Sequence, residues 1–115
     1  ATKTFLKAIK LAENEPIEGR AIIENALGFT YAAQKDFKKA IKHYKFAITS
    51  LPDYTIALNN LGSAQQSLFD YAEAYSTYKK VLEIDPKNKT AQKKSKELEV
   101  RTNYKPFTEA KSKGF

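Results

Sequence analysis

Apolar residues recur at helical spacing in four runs between about residue 20 and residue 86, with short polar breaks between the runs. The first two runs predict a helix from about Arg20 to Gln34 and a second from about Phe37 to Ser50. The next two predict a similar pair within residues 55 to 88. The breaks carry boundary residues. Asp36 stands where the second helix needs an N-cap, and Pro52 follows that helix. Asp53 is placed to cap the third helix, Asp70 and Glu73 to open the fourth as a capping box, and Pro86 to close it.

The two pairs are copies. Leu27, Gly28, Tyr31, Ala40, Tyr44, Ala47 and Pro52 return 34 residues later as Leu61, Gly62, Gln65, Ala74, Tyr78, Val81 and Pro86. Only the Tyr31/Gln65 position changes character. This period and spacing resemble the tetratricopeptide (TPR) repeat, in which antiparallel helix pairs stack into a right-handed superhelix, so an all-α fold is expected. Gly28 and Gly62 supply close approach where the two helices of a pair meet, and Ala40 and Ala74 leave room for the aromatics opposite. Tyr31, Tyr44, Tyr78, Phe37 and Tyr71 are read as filling those interfaces, not as a stacking site for a cofactor.

The repeats span residues 21–54 and 55–88. Upstream, residues 1–20 read as the second helix of a truncated repeat followed by a connector. Phe5, Ala8, Ile9 and Ala12 have helical spacing, Phe5 and Ala8 share the offset of Tyr44 and Ala47, and Glu15, Pro16 and Gly19 suit a loop. Downstream, residues 89–102 are expected to form a capping helix with Ala91, Leu98 and Val100 as its few apolar contacts. Residues 103–115, with Pro106 and Gly114, read as an extended basic tail.

The net charge of +7 is concentrated at that end: residues 1–86 hold 11 basic and 10 acidic groups, residues 87–115 hold 9 and 3. Lysine outnumbers arginine 18 to 2, which argues against nucleic-acid readout and leaves attraction to an anionic surface. Without cysteine there is neither a disulfide framework nor a thiolate metal site, and a single His cannot hold a metal alone. No phosphate loop, nucleophile elbow or metal-binding helix motif appears, and no apolar run approaches the roughly 18 residues of a membrane span. His43, between Lys42 and Lys45 and without a second ligand, is expected at the surface. A non-catalytic binding scaffold without cofactor, metal or small-molecule substrate follows.

In such a superhelix the first helix of each repeat lines a concave groove. The corresponding positions are Ile22, Asn25, Phe29 and Ala32 in the first repeat and Ile56, Asn59, Ser63 and Gln66 in the second. Asn25 and Asn59 can each offer donors and an acceptor to an extended peptide, and Phe29 an apolar contact. The carboxylate clamp of TPR domains that hold acidic chaperone tails is incomplete. Asn60 and Lys94 fall in place, but Asn25 and Phe29 stand where Lys and Asn are required.

The run NALGFTYAAQKDFKKAIKHYKFAITSLPDY from Asn25 to Tyr54, with IALNNLGSAQ from Ile56, resembles the cyanobacterial and plastid TPR proteins described as hypothetical chloroplast reading frame 37. The resemblance extends through the connector after Ala8 and the NKTAQKKSKELE stretch. It implies a role in assembly or stabilisation of photosystem I. It also implies a position on the stromal or cytoplasmic face of the thylakoid, with a membrane anchor upstream, and partners among photosystem I subunits or assembly factors. The lysine-rich end would then lie against an anionic lipid surface or an acidic subunit. The alternatives are a generic adaptor or co-chaperone, cytoplasmic and soluble, and a homo-oligomerising TPR module.

Overall fold

A computed structural model describes residues 17–114, and among these every regular element is helical. The helices are α1 (Ile17–Ala33), α2 (Phe37–Ser50), α3 (Thr55–Ser67), α4 (Tyr71–Ile84) and α5 (Lys89–Gly114). Helices α1 and α2 form the first repeat, α3 and α4 the second, and α5 packs against α4. The helix expected over residues 4–13 lies outside the described residues.

Close approach within each pair follows from one missing side chain. A Cβ at Gly28 would stand 2.7 Å from both Cδ1 and Cε1 of Tyr44, and a Cβ at Gly62 would stand 2.8 Å from Cε2 and Cζ of Tyr78. The rings therefore reach the glycine backbone of the opposing helix, in clusters that also hold the fully buried Ala40 and Ala74. Burial pushes the Tyr44 hydroxyl up to about 12. Burial, with a smaller contribution from the Glu97 carboxylate, does the same at Tyr78.

The core runs continuously along the stack. Ala21, Ala47 and Ala57 form one cluster, Ala40, Tyr44, Leu61 and Ala64 a second, and Leu58, Ala74, Tyr78, Val81, Ala91 and Leu98 a third. Ile48 packs against all three, so the two repeats share one apolar interior. Among the described side chains of α5, the buried ones are Ala91, Ser95 and Leu98, a stripe at i, i+4 and i+7. Val100 falls on the opposite side of the helix and is exposed, contrary to the expectation that it joins the cap.

Both turns within the repeats use the same device. Lys35 and Phe69 have φ of 63° and 65°, Asp36 N donates to Tyr31 O and Asp70 N to Gln65 O, each at 2.9 Å. These are Schellman closures with a bulky side chain in the left-handed position that usually holds Gly. Asp36 then caps α2, accepting from Lys39 N at 3.3 Å.

The other expected caps differ. Tyr54, not Asp53, occupies the N-cap position of α3, so the Asp53 carboxylate sits one residue too early to reach the free amides. Asp70 is the N-cap of α4, but only its backbone carbonyl takes part, accepting from Ala74 N at 2.9 Å. Helix α1 starts at Ile17 and takes in Gly19, which the sequence suggested as loop. Helix α5 runs to Gly114 where an extended tail was expected. Lys, Glu and Ala in that segment favour helix, against the cost of Pro106, which removes one ladder donor and crowds the carbonyl four residues earlier.

Candidate partner-binding groove

The first helix of each repeat carries its expected groove residues on one stripe, since positions 22, 25, 29 and 32 and positions 56, 59, 63 and 66 each advance by three or four. The apolar members are open to solvent: Ile22 is 56% exposed, Phe29 61% and Ile56 58%. Ser63 is also exposed, and Gln66 is partly covered.

The asparagines are spoken for differently than their repeat positions suggest. Asn60 Nδ2 donates to Asn25 Oδ1 at 2.9 Å, joining α3 to α1. Asn59 Nδ2 donates to Asn88 Oδ1 at 3.3 Å, joining α3 to the residue before α5. Asn25 and Asn59 thus belong to two separate amide pairs, one joining α1 to α3 and the other joining α3 to the start of α5. Asn59 Oδ1 is buried with no hydrogen-bond partner. Lys94 reaches Glu97 at 3.7 Å, and its charge is partly countered within its own helix.

Asn88 was not singled out by sequence reasoning. Its Oδ1 also accepts from Ala91 N at 3.0 Å, so one side chain caps α5 and anchors Asn59. An Asn three residues before the first buried position of α5 was the available signal. His43 was also misjudged. Its Nδ1 lies 2.9 Å from Glu24 Oε1, its ring stacks on Tyr31 with centroids 5.3 Å apart, and Phe46 meets it edge-on at 5.9 Å. The lysines beside it in sequence point elsewhere on α2, while Glu24 and Tyr31 on α1 hold the imidazole partly buried.

A family model for the tetratricopeptide repeat matches residues 19–87. The chain belongs to the tetratricopeptide repeat family. It is 36% identical over 96 residues to the uncharacterized protein ycf37 of Cyanophora paradoxa, a match covering 82% of this chain and 54% of that protein. It is 34% identical over 114 residues to the tetratricopeptide repeat domain-containing protein PYG7, chloroplastic, of Arabidopsis thaliana, covering 98% of this chain and 38% of that one. The chain therefore spans about half or less of the length of these relatives. The first TPR of Spaghetti (RPAP3), solved with an HSP90 peptide, shares the fold with a TM-score of 0.75 at 22% identity, over 85% of this chain and 78% of that one. Among the described residues no helix is long and apolar enough to cross a membrane.

Proposed function

We propose that this TPR chain is a non-catalytic scaffold that holds a segment of a protein partner along α1 and α3, and that it serves the assembly or stability of photosystem I at the stromal face of the thylakoid. The observation that carries the binding site is the exposure of Ile22, Phe29 and Ile56 on the stripe that also holds Asn25, to which Asn60 bonds. Exposed apolar side chains grouped around a satisfied polar pair offer an extended peptide both burial and orientation. Similarity to a chloroplastic TPR protein and to ycf37 supports the photosynthetic assignment.

In this reading the asparagines act chiefly through the frame of the groove. With Asn25 and Asn60 bonded to one another, the pair fixes the spacing of α1 and α3, and the apolar residues on either side supply the affinity.

Capture of the tagged chain from solubilised thylakoids, with identification of the bound proteins by mass spectrometry, tests the assignment. Recovery of photosystem I subunits or assembly factors supports it. Recovery of heat-shock chaperones alone, or of the chain alone, would replace it with the co-chaperone or the self-assembling reading.

A further inference from the structure

A second recess, separate from the α1/α3 stripe, opens between α2, α3 and α4. It is a cleft of about 370 Å³, enough for on the order of ten waters, and Ile48, Leu58 and Leu61 give it apolar walls. Gln65 and Thr77 line it as well.

The repeat register explains why space is left here. Gln65 stands 34 residues after Tyr31, Thr77 34 after His43 and Leu58 34 after Glu24. In the first repeat those three positions hold an aromatic ring stacked on an imidazole that is itself bonded to a carboxylate. The second repeat has an amide, a hydroxyl and an isobutyl group instead, so no ring occupies this place.

The polar groups at the floor of the cleft are joined: Thr77 Oγ1 donates to Gln65 Oε1 at 2.7 Å and lies 2.9 Å from the Glu73 carbonyl of its own helix. An amide oxygen has two lone pairs, so Gln65, only 5% exposed and lining the cleft, can accept a second hydrogen bond. At the rim, Lys45 and Lys80 outnumber the single carboxylate, Glu73.

We propose that this cleft binds a tyrosine side chain presented by an acidic segment of a protein partner. The ring takes the place that Tyr31 fills in the first repeat, against Ile48, Leu58 and Leu61. The phenol donates to the Gln65 oxygen, and flanking carboxylates meet Lys45 and Lys80. The site shares none of the groove residues and does not depend on what occupies the groove.

The probe is the blocked pentapeptide Asp-Glu-Tyr-Glu-Asp, titrated to millimolar concentration into the isotope-labelled chain and followed by NMR. Saturable shifts are expected at the Gln65 side-chain amide, at Thr77 and at the methyls of Ile48, Leu58 and Leu61. Replacing the peptide tyrosine by alanine is expected to abolish them. Gln65→Tyr, which restores the first-repeat residue and fills the cleft, is expected to weaken binding at least tenfold. Lys45→Glu combined with Lys80→Glu, two exposed changes that leave the core intact, is expected to do the same. No shifts in the cleft at millimolar peptide, shifts confined to Ile22, Phe29 and Ile56, or affinity unchanged by both variants would overturn the proposal.

Discussion

Asn60 and Asn25, 35 residues apart, meet across 2.9 Å and tie the first helices of the two repeats together. The neighbouring Asn59 makes the weaker contact, 3.3 Å to Asn88, and leaves its own oxygen buried and unpaired. Asn60→Ala removes the donor from a partly buried oxygen and is expected to cost about 1–2 kcal/mol. Asn59→Ala removes an unsatisfied acceptor along with a long hydrogen bond and should cost less, about 0.5 kcal/mol. Urea unfolding of both variants checks the order. Equal losses would show that the two pairs carry similar weight.

Gly28→Ala and Gly62→Ala each drive a methyl to within 3 Å of a tyrosine ring. Both rings are themselves fully buried in the core, so accommodating the methyl requires repacking. A loss of about 1–3 kcal/mol is expected for each, read as a lower urea midpoint with unchanged slope. Gly62→Ala combined with Tyr78→Leu should lose less than the sum of the two single changes, because the clash disappears with the ring.

Lys35 holds a left-handed backbone conformation that a side chain resists. Lys35→Gly relieves that strain at the cost of greater unfolded-state freedom, for a net gain of about 0.5 kcal/mol. A rise in the thermal midpoint checks it.

Burial pushes Tyr44 and Tyr78 up to about 12 in the folded chain, against an ordinary tyrosine value of 10. Because the folded pKa is raised, the contribution is complete below pH 10 and is lost as pH climbs toward 12, where the unfolded chain ionises first. Two units correspond to at most about 3 kcal/mol per tyrosine. In a tyrosinate absorbance titration, Tyr44 and Tyr78 are expected to ionise above the ordinary tyrosine range in the folded chain and to return to it in denaturant. Substituting Phe at Tyr44 and Tyr78 should remove the late phase.

What could be read from sequence was what the repeat itself dictates. Gly28 facing Tyr44, Gly62 facing Tyr78 and the cap at Asp36 all follow from spacing within one helix pair. Contacts between repeats were less legible. Adjacent residues on a helix point about 100° apart, so the twist of the stack decides whether Asn59 or Asn60 reaches Asn25, and no spacing reveals that. The left-handed residues Lys35 and Phe69 carry none of the usual glycine signal. His43 meets partners on another helix, Glu24 and Tyr31, that the second repeat does not keep. The helical course of residues 103–114 was obscured by Pro106 and sparse apolar periodicity.

The central claim is that a photosystem I partner is held through the exposed apolar residues of α1 and α3. Its most direct test compares photosystem I proteins captured from solubilised thylakoids by the unaltered chain and by the variant carrying Ile22→Ser, Phe29→Ser and Ile56→Ser. These exposed changes should shift stability by no more than about 0.5 kcal/mol each, and circular dichroism should confirm unchanged helicity. Capture by the unaltered chain with at least a tenfold loss in the variant is the predicted result. Equal recovery by both chains would contradict the groove, and the absence of photosystem I proteins from both would contradict the assignment.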